Sequence, residues 1–275
     1  MKIQRTKKIG VFDSGFGGLD ILRGIIQENG EYDYLYLGDT ARTPYGTRSQ
    51  EIIYEFTKQA IDFLFAKNCE LIIIACNTAS AEALRKIQKN YIPKKYPHKK
   101  VLGVLIPAVE SALEKTINKK VGIIATASTV RSCAFTKEIH KRDTSIRVYE
   151  QACPLLVPIV EAGEKYHKAT DIILREYLQP LQKKHIDTLI LGCTHYGLLE
   201  SKIKKILGKD VAIISEARTV PKKLKLYLHN HSSLEQTLSK KSSLLFYSTD
   251  LTENFQTLGS MFFGKKINVK KITLQ

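Results

Sequence analysis

Tryptophan is absent from this 275-residue chain, methionine occurs twice and cysteine only five times. The aromatic mass of any core must therefore come from the 13 tyrosines and 10 phenylalanines. The cysteines stand at 69, 76, 133, 153 and 193. An odd count with no secretory leader ahead of it speaks against a disulfide framework and for free thiols in a reducing compartment. The N-terminal MKIQRTKKIG is basic, but no apolar stretch of signal-peptide length follows it. The longest apolar runs, such as 71–75 (LIIIA) and 189–191 (LIL), fall far short of the roughly 20 residues that cross a bilayer. The expectation is a soluble, cytoplasmic protein without membrane association. Walker-A, zinc-finger, RNA-recognition and helix-turn-helix signatures are also missing.

Acidic residues are in the minority: 27 Asp and Glu against 43 Lys and Arg give a formal charge of +16. The basic residues are scattered, apart from KKYPHKK at 94–100 and a tail with Lys265, Lys266, Lys270 and Lys271. This pattern reads as a solvated surface rather than a nucleic-acid interface. A positive field would also favour an anionic substrate.

What the chain does contain is a regular alternation. Strand-like runs occur at 9–12, 34–37, 71–75, 101–105, 121–125, 189–192 and 211–214, with weaker ones at 146–150 and 244–247. Amphipathic stretches separate them. In 49–67 the residues Ile52, Ile53, Phe56, Ala60, Phe63 and Leu64 recur at helical spacing, with Ser49 as N-cap. A second helix is expected over 171–181, ending near Pro180. Strands alternating with helices imply βαβ units and mostly parallel sheet. The near-continuous apolar runs LIIIA and LILG suit strands covered on both faces. The Pro- and Lys-rich stretch 91–100 reads as a linker, with a second break near 208–210. The expected fold is α/β: two pseudo-symmetric α/β lobes with mostly parallel central sheets and an interlobe active-site cleft. Residues 1–100 plus 210–275 would form the first lobe and 101–209 the second.

Two segments echo one another. IIIACNTAS (72–80) and LILGCTHYG (189–197) each run from apolar strand through a small residue to Cys and then a polar residue. Cys76 and Cys193 thus stand at the carboxyl ends of strands, where sites form on parallel sheets. There each thiol would meet helix N-terminal N–H groups that favour thiolate. Two thiols suit inversion of a stereocentre, because one proton must leave one face while another arrives on the opposite face. A free thiol, with pKa about 8.5, needs only a modest shift to work near neutrality. His195 could tune Cys193. A Cys-x-His zinc pair is the alternative, but no second ligand pair completes it, so no metal is expected.

The run VFDSGFGGL (11–19) passes from strand through a Gly-rich turn to helix. Asp20 stands where a dinucleotide fingerprint following Gly15 and Gly17 needs glycine, so this is not a nucleotide loop. It offers instead a tight turn with Asp13 at its base. The loop GDTARTPYG (38–46) carries a rigid tip at which Tyr45 and the Gly46 backbone could meet a ligand.

Taken together, GVFDSGFGGL (10–19), LGDTARTPYG (37–46), ACNTASA (75–81), QACPLLVPIVEAG (151–163) and LGCTHYG (191–197) resemble the bacterial glutamate racemases of the aspartate/glutamate racemase family. The resemblance implies two α/β lobes around a cleft, often assembled as homodimers. It implies cofactor-independent interconversion of L- and D-glutamate, supplying D-glutamate for peptidoglycan. By motif, Cys76 would deprotonate D-glutamate and Cys193 L-glutamate. Asp13 and His195 would assist Cys76 and Cys193 respectively, with Glu161 as a further helper. Substrate contacts would involve Asp13, Ser14, Tyr45, Gly46, Asn77, Thr78, Thr194 and His195. The sequence departs from the family pattern at Gly197 (commonly Pro), Ile106 (usually Glu) and Ser215-Glu216 (usually Asp-Ser). Aspartate as substrate, a basic binding protein with a secondary site, and a metal-dependent hydrolase are the competing readings.

Overall fold

The computed structural model describes residues 7–251 and 255–274, so most of the basic N-terminal stretch (residues 1–6) lies outside it. Among the described residues, ten strands form two sheets. They are β1 (Lys8–Asp13), β2 (Tyr34–Gly38), β3 (Cys69–Ile74), β4 (Lys100–Gly103), β5 (Lys120–Ala125), β6 (Arg147–Ala152), β7 (Thr188–Gly192), β8 (Ala212–Ile214), β9 (Leu244–Ser248) and β10 (Val269–Lys271). The larger sheet has the order β10-β9-β2-β1-β3-β4 and the smaller β6-β5-β7-β8. Every pairing is parallel. The two-lobed α/β fold anticipated from the alternation is thus the fold of the chain.

β2, β3 and β7 are buried at every position, which accounts for their unbroken apolar runs. One apolar cluster takes in Ile9 and Val11 of β1, Val121 and Ile123 of β5, and Leu189 of β7, so both lobes feed a common core. The other face of the larger sheet packs Phe12, Ile72 and Ile74 under Ile53, Ile61 and Leu64 of the helix Gln50–Ala66. Ser49 caps that helix as expected, accepting the Ile52 N–H at 3.4 Å. The buried stripe excludes Ile52 itself, which is 42% exposed.

Two sequence expectations need correction. The 91–100 stretch is not a free linker. Pro93 sits in the first turn of a short helix, Ile92–Lys95, where it starts a helix rather than breaking one. Tyr91, Lys95 and Tyr96 then converge on Asp62 at 2.7, 2.8 and 2.9 Å. The expected lobe boundaries also move. β4 pairs with β3 and belongs to the larger sheet, whereas β8 pairs with β7 and belongs to the smaller. The chain changes sheets after Gly103 and again after Ile214, because strand pairing, not loop composition, assigns a segment to a lobe. The helix expected over 171–181 is present as Lys168–Gln182 and ends near Pro180 as anticipated, with that proline in its last turn.

The lobes meet partly through the helices Gly18–Glu28 and Glu216–Asn230. Their crossing is close enough that a Cβ on Gly24 would fall 2.2 Å from the Ala217 carbonyl oxygen. Asn29 donates to the Pro221 carbonyl at 3.1 Å beside it. Gly24→Val must push the helices apart, and we expect a loss of about 2 kcal/mol in a urea denaturation series. An unchanged midpoint would contradict the crossing. No helix of the described residues is long and apolar enough to cross a membrane.

Candidate active site

The carboxyl ends of β1, β3, β5 and β7 converge between the lobes, and the residues singled out by sequence gather there. Cys76 lies two residues beyond β3 and caps the short helix Asn77–Glu82, its sulfur accepting the Ala79 N–H at 3.5 Å. Its thiol donates to Ser14 Oγ at 3.3 Å. Ser14 stands at the turn that closes β1. There the Gly15 N–H donates to Asp13 Oδ2 at 2.9 Å and the Tyr36 hydroxyl to the Gly15 carbonyl at 2.8 Å.

Cys193 directly follows β7, with its sulfur 3.9 Å from His195 Nδ1. His195 Nε2 lies 2.9 Å from Glu161 Oε1, and its ring meets the edge of Phe262. Thr194 ties the halves together: its hydroxyl donates to Asp13 Oδ1 at 3.4 Å, so a residue after β7 holds a residue at the end of β1. The approach is tight. A Cβ on Gly17 would fall 2.2 Å from Thr194 Oγ1, and one on Gly18 2.6 Å from Asp13 Cβ. Gly17 therefore lets the turn approach Thr194 of the other lobe, and Gly18 lets it close over Asp13 and Ala75 of its own.

Two further cross-lobe contacts flank the thiols. Thr78 Oγ1 is 3.0 Å from Thr126 Oγ1, and the Asn77 amide donates to Glu216 Oε2 at 2.7 Å. Tyr45 is buried and donates to Asp39 Oδ2 at 2.5 Å, and Gly46 abuts the Thr126 side chain. Sequence reasoning named neither Asp39, Thr126 nor Glu216 as a site residue. The available signal was position: each directly or closely follows a strand's carboxyl end, at β2, β5 and β8.

Electrostatics overturn one expectation. The helix N-terminal N–H groups were expected to favour thiolate. Instead burial pushes the Cys76 thiol up to about 12, the Asp13 charge adds to this, and Ser14 and Ala79 only partly oppose it. Burial likewise pushes Cys193 well above the usual thiol range, reinforced by charge on Cys76, Asp13 and Glu216. One N–H contact at 3.5 Å does not outweigh desolvation of the charge. Burial also raises Asp13, against the pull of His195, and raises Glu216, against its hydrogen bond from Asn77. Both shifts favour the thiol over the thiolate in the enclosed site.

The thiols are nearly sealed, Cys76 at 5% and Cys193 at 8% exposure. The cavity beside Cys193, Thr194 and Glu216 is only about 10 Å³. A far larger cavity of about 1090 Å³ lies elsewhere between the lobes, walled by Leu84, Leu102, Leu105, Leu224 and Tyr227, and contains neither thiol.

Paired parallel sheets with Cys76 beyond β3 of one and Cys193 beyond β7 of the other, both enclosed between the lobes, fit the class of α/β racemases. The chain belongs to the Asp/Glu/Hydantoin racemase family, which its residues 9–219 match. It is 41% identical over 264 residues to the glutamate racemase of Aquifex pyrophilus, covering 96% of each chain. It is 40% identical over 266 residues to that of Neisseria gonorrhoeae, covering 96% of this chain and 95% of the relative. Among solved structures, a glutamate racemase isoform from Bacillus anthracis superposes with a TM-score of 0.90 at 35% identity, covering 98% of each chain. The glutamate racemase of Francisella tularensis, solved in complex with D-glutamate, gives a TM-score of 0.88 at 36% identity over 99% of each.

Proposed function

We propose that this racemase interconverts L- and D-glutamate without a cofactor, using Cys76 and Cys193 as opposed acid and base. The observation that carries the reading is the pairing itself. Cys76 beyond β3 and Cys193 beyond β7 are buried thiols of opposite lobes, and the Thr194–Asp13 hydrogen bond ties the end of β7 to the end of β1 between them. In the D-to-L direction Cys76, as thiolate, takes the α-proton, and the electron pair is left on the α-carbon and its carboxylate. The Cys193 thiol then delivers its proton to the opposite face. Cys76 ends as thiol and Cys193 as thiolate, and the reverse reaction restores both. Asp13 would exchange a proton with Cys76, while His195, braced by Glu161, would do so for Cys193. Ser14, Tyr45, Gly46, Asn77, Thr78 and Thr194 would hold the substrate.

The glutamate assignment is supported by the relatives of 40–41% identity and by the D-glutamate complex of the Francisella protein. The product would be D-glutamate for peptidoglycan, made in the cytoplasm by a homodimer. The deciding experiment is turnover of each glutamate enantiomer in D₂O, followed by circular dichroism and mass spectrometry. The product enantiomer should carry deuterium at the α-carbon. Faster turnover of aspartate would reassign the substrate, and loss of activity with a strong chelator would reassign the chemistry.

His195 tests the assignment of helpers. Glu161→Gln keeps a partner for Nε2 but removes the charge that supports an imidazolium. We expect kcat from L-glutamate to fall about tenfold with KM little changed. An unaltered kcat would remove Glu161 from the scheme.

A further inference from the structure

The hydrogen bond between Asn77 and Glu216 plays no part in the proton transfers above. Asn77 follows Cys76 on the side of the larger sheet, and Glu216 opens the helix that follows β8 on the smaller. Both are buried, at 2% and 3% exposure. A side-chain amide has two ends of similar shape and opposite hydrogen-bonding character, so its function depends on which way it points. With the Asn77 amide nitrogen committed to Glu216 Oε2, the carbonyl end is the one left over. Asn77 Oδ1 and Glu216 Oε1 are both buried without a hydrogen-bond partner among the described residues. Buried acceptors are nearly always satisfied, and exceptions call for an explanation.

The surroundings indicate what would satisfy them. Glu216 lines the small cavity with Cys193 and Thr194, and no Lys or Arg is part of that lining. Asp13 and Glu216 both act on Cys193 electrostatically, the Arg23 that reaches Asp20 of this lining is already paired with it, and no Lys or Arg is bonded to Asn77 or Glu216 among the described residues. A group that matches unspent acceptors in an acid-rich enclosure is a cationic donor. On a 2-amino diacid, that group is the α-ammonium.

We propose that Glu216 is a positioning residue that orients the Asn77 amide so that Asn77 Oδ1 receives the substrate's α-ammonium, making the site select a 2-amino diacid over the same diacid without the amine. This rests on the reading that glutamate is the substrate. The test uses the full chain and two replacements. Glu216→Gln retains an oxygen to accept from Asn77, whereas Glu216→Met fills the space without one. The readouts are KM for D-glutamate and the inhibition constant of glutarate, which has both carboxylates and no ammonium. In Glu216→Met the KM should rise about tenfold while the glutarate constant moves less than about twofold. Glu216→Gln should keep KM within about threefold of the unaltered protein. Equal losses for both ligands would make Glu216 merely structural and overturn the proposal, as would an unchanged KM in Glu216→Met. Should Glu216→Met not fold, Glu216→Ala is read by the same two constants. Failure of the unaltered protein to turn over glutamate would defeat the substrate reading instead, so the two failures are distinct.

Discussion

Replacing Cys76 with alanine is expected to abolish racemisation in both directions, with kcat reduced by at least about a thousandfold, and Cys193→Ala should do the same. A single positioned acid or base typically contributes between about 10²- and 10⁴-fold. In the proposed scheme neither thiol can substitute for the other, because each is assigned one face of the α-carbon. The variants should differ in what survives. Cys193→Ala retains the base assigned to D-glutamate, so it should still wash the α-deuteron out of labelled D-glutamate without forming the L-enantiomer. Cys76→Ala should show the mirror behaviour with L-glutamate. Both are measured by mass spectrometry of the recovered substrate. Either variant racemising at a substantial fraction of the normal rate would end the two-thiol scheme.

The second large effect is in pH. Burial, with the Asp13 charge added, holds the Cys76 thiol up near 12, and burial holds Cys193 high as well. The proposed reacting form needs one thiolate. At neutral pH the free protein therefore carries that form as a small fraction, which grows as protons are removed. We expect kcat/KM to climb by about tenfold per pH unit from about pH 6 towards about pH 9, since kcat/KM reports groups in the free enzyme. Stability should move the other way. Both thiols have folded-state pKa values raised above the unfolded value of about 8.5, so the folded chain retains protons that the unfolded chain releases. The Cys76 contribution is fully present below about pH 8.5 and is lost as pH rises towards about 12, and that of Cys193 is lost in the same direction. Every tenfold difference in proton affinity between the folded and unfolded chain corresponds to about 1.4 kcal/mol. A urea midpoint that declines above about pH 9 while kcat/KM has been rising is the combined signature. A flat kcat/KM profile over the same range would mean that one thiol is already ionised in the free protein.

The sequence was most legible where one local rule dominates. Buried parallel strands must be apolar on both faces, and LIIIA and LILG become β3 and β7 for that reason. Ser49 announces a helix start because its hydroxyl satisfies a free N–H. It was less legible where partners are distant. Only pairing with β7 places the three residues of β8 in the smaller sheet, and only the cluster around Asp62 turns a Pro- and Lys-rich stretch into an anchored one.

The same division holds at the site. The linear sequence by itself singled out the residues proposed to carry the chemistry: two thiols in matching strand-end contexts, an acid in a glycine turn, and a histidine two residues past Cys193. Periodicity and side-chain chemistry are local properties and need no fold to be read. Tertiary structure alone decided that Thr194 reaches Asp13, that Asn77 reaches Glu216 across 139 positions of chain, and that burial raises both thiols where local N–H groups suggested the reverse. Proximity between lobes and exclusion of water depend on the packing of the whole chain, and no short segment encodes either.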